Sequence, residues 1–218
     1  MKSGFDTVMI FLVLSNLALL GSSRLGMCVR ALALQGLVLS VLPVIVDMAD
    51  ITARDLTLGL GTMLVKGFLF PWILLRTLRD AGVRREIEPY VGYTMSLIIG
   101  AALLALALWL DRRLPLPHSF VSPLLVPVSF FTIFCGLFIL LSRKKAITQV
   151  IGYLVLENGI YSFGMALAHE EPFLVEMGML LDIFAAVFVM GIAIFHIHRE
   201  FEHMDTARMT LLKDDYSG

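Results

Sequence analysis

Charge is scarce in this sequence: Asp, Glu, Lys and Arg make up 16% of its residues, where an average soluble domain has about a quarter. Hydrophobic residues make up 58%, so the composition reads as that of an integral membrane protein. Cysteine is nearly absent. Cys28 and Cys135 have no neighbour at a metal-ligand spacing and lie in or beside apolar runs, so they read as small buried hydrophobes with no disulfide or cluster expected. There is no phosphate-binding glycine loop, dinucleotide fingerprint, Ser-His-acid set or paired-cysteine motif, and the polar connections are too short to house such a site. Catalysis by this chain alone is therefore not expected. A net charge of −1, from 17 basic and 18 acidic residues, gives no pull toward nucleic acid.

Long apolar runs are abundant. They fall at about 5–23, 29–46, 56–75, 89–110, 121–142, 146–168 and 172–196, each long enough to cross a hydrocarbon core about 30 Å thick. The expected fold is all-α, a single polytopic membrane domain over 1–218 with seven transmembrane helices. It divides into a three-helix unit (1–80), a connecting helix (89–110), a second three-helix unit (121–199) and a tail (200–218). The first run has only Lys2 before it and no small-residue cleavage site after it, so it reads as a retained helix. Basic residues then set the orientation. Twelve Lys and Arg fall on one side of the bilayer, including Arg76, Arg79, Arg84, Arg85 and the run Arg143 to Lys145, against four on the other. The N-terminus is expected outside and the C-terminus in the cytoplasm.

Laying the first three spans on the last three matches Ser23-Arg24 with Ser142-Arg143 and Leu37-Val38-Leu39 with Leu154-Val155-Leu156. Four helices separate equivalent members, so this is a parallel repeat, giving a 3+1+3 arrangement. Ser40 then falls on Glu157, and Lys66 within one position of Asp182. Pro43, Pro71 and Pro127 mark expected kinks, and Pro71 is placed to loosen the turn that holds Lys66 and Gly67. The alanine-rich run Ala101 to Ala107 suits lipid contact or close helix packing.

Three charges interrupt the apolar runs near their midpoints: Lys66, Glu157 and Asp182. Each is worth roughly 2.5–3.5 kcal/mol against insertion, so three at one depth point to function. A mid-bilayer carboxyl is pushed toward its neutral form by desolvation and back by a nearby cation, so moving the cation or admitting water switches its hold on a proton. Glu157 with Lys66 or Asp182 fits that task. Asn158, Tyr161 and Gln35 would extend a hydrogen-bonded path, and Glu176, near the outer interface, suits an anchor or an exit site. His196, which ends the last span, is a secondary candidate for the path, and its spacing from His198 gives no shared face for a metal. A static ion pair that fixes packing, and binding of an ion or solute, stay open as alternatives. So do a free-standing cation/proton antiporter component and a purely structural scaffold.

The residues Leu156-Glu157-Asn158-Gly159, Val175-Glu176-Met177-Gly178 and Asp182 with Phe184 to Met190, together with Lys66 and Pro71, resemble hydrogenase-4 component E. The last three spans are also similar to the small K-type subunit of respiratory complex I, in which a basic turn leads into a helix with a central glutamate. Glu157 matches that glutamate. Asp182 lies about one turn from the place of the second acid, and Ser40 and Lys66 depart from the pattern in the first unit. The resemblance implies a non-redox subunit of a membrane-bound hydrogenase or formate hydrogenlyase complex in a prokaryotic cytoplasmic membrane. Its partners would be a quinone-reductase-type anchor, antiporter-like subunits, the lipid bilayer, and a soluble redox arm near the C-terminal tail. The nickel-iron centre and iron-sulfur clusters would belong to partner subunits, and this chain would hold no cofactor.

Overall fold

The computed structural model describes residues 2–42, 53–80, 89–114, 122–167 and Gly191, and its regular elements are all helical. In order they are α1 (Lys2–Gly21), α2 (Leu25–Ser40), α3 (Ala53–Thr62), a π-helix (Met63–Leu69), α4 (Phe70–Asp80), α5 (Tyr93–Asp111), α6 (Leu125–Ser142) and α7 (Ala146–Leu167). The segments α3, π and α4 follow one another without a break, making one rod from Ala53 to Asp80. Sequences this apolar form helices because, away from water, a backbone can satisfy its N–H and C=O groups only by bonding to itself.

Seven spans were expected, and among the described residues four helical stretches are long and apolar enough to cross a membrane: Gly4–Gly21, Gly59–Asp80, Tyr93–Asp111 and Leu125–Ser142. Helix α2 falls short because it has 16 residues, starting at Leu25 rather than 29 and ending at Ser40. Helix α7 has 22 residues, and its apolar run is interrupted by Gln149, Glu157 and Asn158. The run 172–196, apart from Gly191, and the tail 200–218 lie outside the described residues, as do Pro43, Arg84 and Arg85.

Helices α6 and α7 pack backbone to backbone. A Cβ added at Gly152 would lie 2.6 Å from the Leu140 nitrogen, one at Gly159 would lie 2.6 Å from the Ile133 nitrogen, and one at Gly136 would strike the Leu156 backbone. These pairings run in opposite directions along the two helices, as does the Ser129 to Ser162 hydrogen bond of 2.9 Å, so α6 and α7 are antiparallel. Helices α1 and α6 run the same way. Ser122 donates to Asp6 (2.6 Å) at one end, and Asn16 donates to Thr132 (2.9 Å) ten residues further along each chain. A parallel repeat requires this relation of its two leading helices.

Two apolar clusters fill the bundle. One gathers Leu20, Val29, Phe131 and Ile151 with their neighbours, and the other gathers Phe5, Met9, Leu39, Leu125 and Met165. Between them four of the helices carry buried polar side chains, with Ser15 and Asn16 on α1, Gln35 on α2, Ser129 and Thr132 on α6, and Glu157 and Asn158 on α7.

Arg143, read from the sequence as a loop charge, is instead 2% exposed. Its guanidinium donates to the Leu20 carbonyl (2.9 Å), the Val91 carbonyl (3.3 Å) and the Ser96 hydroxyl (3.4 Å), and it stands 4.6 Å from the Tyr93 ring centre. Leu20 ends α1, so the cation also meets the negative end of that helix's dipole. This joint fastens α5 to the bundle, and α5 otherwise buries only Ser96, Gly100 and Ala107. Its outer faces are apolar. Arg113 lies over Trp109 (5.4 Å) near one end and Lys144 over Tyr90 (5.2 Å) near the other, and such aromatic-cation pairs suit membrane-water boundaries.

Candidate functional site

The site is built where the Ala53–Asp80 rod crosses α2. Pro71 lacks a backbone N–H, and its ring crowds the carbonyl four residues earlier, at Gly67. The rod answers with the π-helix, in which the Phe70 N–H bonds the Val65 carbonyl five residues back rather than four. The loosening expected beside Lys66 is therefore a widened turn, not a kink. Gly36 of α2 lies on the backbone of that turn. A Cβ at Gly36 would come within 2.7 Å of the Lys66 carbonyl carbon, carbonyl oxygen and Cβ, so no other residue allows this approach without displacement.

From this anchored backbone the Lys66 side chain reaches α7. Its Nζ lies 2.7 Å from Glu157 Oε1, with the side chains 3% and 2% exposed. Glu157 is the twelfth of the 22 residues of α7. The same ammonium stands 4.6 Å from the ring centre of Tyr161, one turn along α7 on the face that carries Glu157. Glu157 Oε2 is buried with no hydrogen-bond partner among the described residues. At an effective dielectric near 20, unit charges 2.7 Å apart attract by about 6 kcal/mol, while desolvation costs several kcal/mol per ion. The pair is therefore close to balanced as a stabiliser of the fold. Losing either half is the expensive event, at about 3–5 kcal/mol.

Beside the pair runs a chain of amides. Asn158 donates to Gln35 Oε1 (3.3 Å), Gln35 Nε2 donates to both Ser15 Oγ and Asn16 Oδ1 (2.8 Å each), and Asn16 Nδ2 donates to Thr132 Oγ1. The chain closes on backbone, where Thr132 donates to the Val128 carbonyl and Ser15 to the Leu12 carbonyl. Asn158 and Gln35, taken from the sequence as extensions of a proton path, are thus members of a tie across α7, α2, α1 and α6. Amides neither take up nor release a proton near neutral pH, so this chain holds helices together.

Of the residues singled out in the sequence, the structure brings together Lys66, Glu157 and Tyr161, and separately Gln35 and Asn158. Asp182, Glu176 and His196 lie outside the described residues. Ser40, aligned with Glu157 in the repeat, donates to the Leu37 carbonyl of its own helix (2.6 Å). Ser15, Asn16, Ser129, Thr132, Gly36 and Arg143 were not anticipated. The Ser15-Asn16 dipeptide, alone in an otherwise apolar stretch of α1, was the readable signal among them. Among the described residues no three His, Cys, Asp or Glu side chains gather as a metal site.

The chain is 29% identical over 204 residues to an uncharacterised protein of Mycobacterium tuberculosis, covering 93% of each. It is 26% identical over 155 residues to hydrogenase-4 component E of Escherichia coli K12, covering 70% of this chain and 71% of that protein, and it matches the Shigella flexneri component E equally. No family model and no solved structure matches it.

Proposed function

We propose that this chain is a non-catalytic membrane subunit of a hydrogenase-type complex related to complex I, and that Lys66 and Glu157 take part in proton translocation there. Two lines support the reading. One is the distant likeness to hydrogenase-4 component E along about seven-tenths of the chain. The other, which carries the mechanism, is the buried 2.7 Å contact between Lys66 and Glu157 at the middle of a bundle with four membrane-length apolar stretches. A carboxyl so placed changes its hold on a proton whenever the ammonium moves or water enters. Asp182, Glu176 and His196 would extend the path. The chain would join a quinone-reductase-type anchor to antiporter-like subunits in a prokaryotic cytoplasmic membrane, with its N-terminus outside. Nickel, iron and iron-sulfur chemistry would stay in the partner subunits.

The second reading is a static ion pair that only fixes packing, favoured by the tight contact of Gly36 against Lys66. Glu157→Gln separates the two, because the amide keeps the size of the acid and cannot exchange a proton near neutral pH. In the assembled complex in sealed vesicles, the proton reading expects redox turnover to persist, in part, while protons moved per electron fall sharply. An unchanged ratio would leave the pair structural.

A further inference from the structure

Resting on the proton reading of Glu157, we propose that Glu157 Oε2, the Tyr161 hydroxyl and the Thr62 hydroxyl hold a buried water, and that this water is the group with which the carboxyl exchanges its proton. Lys66 Nζ lies 2.7 Å from one carboxylate oxygen, Oε1, while the other, Oε2, is buried and closes no hydrogen bond among the described residues. Tyr161 is four residues further on, on the same face of α7, and its hydroxyl is likewise buried and unbonded among them. Thr62, also buried, is the last residue of α3 and precedes Lys66 by one turn of the rod. Its hydroxyl neighbours that of Tyr161 without closing a hydrogen bond to it.

Two unbonded polar atoms on one buried face are costly, because each has given up its bonds to solvent without a replacement. Proteins resolve such groups with ordered water, which typically makes about three hydrogen bonds. Three oxygens border the place here: one belongs to a carboxylate, which only accepts, and two belong to hydroxyls, which donate and accept. A water among them donates to Oε2 and to one hydroxyl and accepts from the other. When Glu157 is protonated the water turns and accepts from the carboxyl, and the hydroxyls turn with it, so the bonds are kept in both states. An amide in that position could not exchange its roles in this way.

The exchange balances at one proton. A hydronium at the site breaks one of its O–H bonds as that proton bonds to Oε2, and it remains as water; the reverse step returns the proton. The contact with Lys66 is made by Oε1, so Oε2 is the atom placed to gain and lose the proton. Thr62 and Lys66 both belong to the Ala53–Asp80 rod, so the water sits on the rod side of α7, whereas Asn158 turns to Gln35 of α2. Hydration of the acid thus leaves the amide tie undisturbed.

The test uses the assembled complex and two readouts. In X-ray radiolytic labelling, hydroxyl radicals form from the water at hand, so a buried tyrosine beside a bound water is hydroxylated although bulk solvent does not reach it. Tyr161 should be labelled in the parent, and Thr62→Val, which keeps the shape of the side chain without its hydroxyl, should lower that labelling severalfold. In sealed vesicles, protons moved per electron should fall in Tyr161→Phe, which keeps the ring, and in Thr62→Val. If Tyr161→Phe does not assemble, Thr62→Val carries both readouts from outside α7. An unlabelled Tyr161 in the parent, or labelling unchanged by Thr62→Val, would overturn the water site. A lowered labelling with an unchanged proton ratio in both variants would make the water a filler and overturn its part in the exchange. Glu157→Gln in the same vesicles reports separately on the proton reading, whose failure shows there as an unchanged ratio, whereas the labelling of Tyr161 does not depend on that reading.

Discussion

Gly36→Ala probes how strictly helix packing sets the ion pair. The added Cβ would meet three Lys66 atoms at 2.7 Å, whereas carbon atoms in contact sit about 3.5–4.0 Å apart, so α2 and the π-helix must separate by about 1 Å. Overpacking of this kind costs about 1–3 kcal/mol, and alanine returns about 1 kcal/mol of helix propensity. If the separation is passed to the 2.7 Å contact between Lys66 and Glu157, its attraction falls from about 6 to about 4.5 kcal/mol at an effective dielectric near 20. The total loss expected is about 2–3 kcal/mol, read as a lower unfolding midpoint of the purified complex in mild detergent. Gly67→Ala is the control, because its Cβ would meet the tip of the Leu37 side chain, which can rotate away. That change should cost under about 1 kcal/mol.

The ion-pair share of the loss is separable. In a Glu157→Gln background the attraction no longer exists, so Gly36→Ala should cost about 1.5 kcal/mol less there than in the parent. Equal costs in the two backgrounds would show that α2 can move without moving Lys66, and the coupling argued from Gly36 would be refuted. A neutral Gly36→Ala would refute the close approach itself.

Lys66→Met should lower stability by about 3–5 kcal/mol by stranding the Glu157 carboxylate, and adding Glu157→Gln should recover most of it, as thermal unfolding of the two variants will show. Arg143→Met should loosen α5 and cost about 3 kcal/mol through the hydrogen bonds it loses to buried acceptors, with Arg143→Lys falling between because one ammonium cannot reproduce the guanidinium fork. A reporter fused after Gly218 should report cytoplasm and one at Glu170 the outside, and the reverse result would invert the orientation read from the basic residues.

What the sequence made legible follows the range of the physics involved. Lys66 and Glu157 stood out because an isolated charge in an apolar run needs no neighbour to be recognised as costly. Pro71 announced a disturbed turn for the same local reason, although whether the backbone would kink or widen depended on α2 lying against it. Gly36 was silent, since a glycine in a membrane helix says nothing until its partner is known. Arg143 was misread because counting loop charges assumes that they meet water, and here three backbone and side-chain acceptors from two other segments receive the cation. The helix ends erred by a few residues where hydropathy and hydrogen bonding diverge. The rod runs on through Arg76 to Asp80, because an amphipathic turn at the boundary keeps its backbone bonds after its side chains become polar.

The neighbouring residues Glu157 and Asn158 divide two tasks that a single polar cluster would confuse. Successive side chains on a helix point about 100 degrees apart, so one meets Lys66 of the π-helix while the other meets Gln35 of α2. The amide chain from Asn158 through Gln35 and Asn16 to Thr132 ends on backbone carbonyls and contains no group that titrates near neutral pH. It therefore binds α7, α2, α1 and α6 equally well whether Glu157 is charged or neutral. Had the carboxylate been a member of that chain, each proton gained would have unpaired a buried donor, at about 1–3 kcal/mol, and loosened four helices at once. With the tie held by amides alone, the acid can change its charge against Lys66 while the bundle around it stays closed.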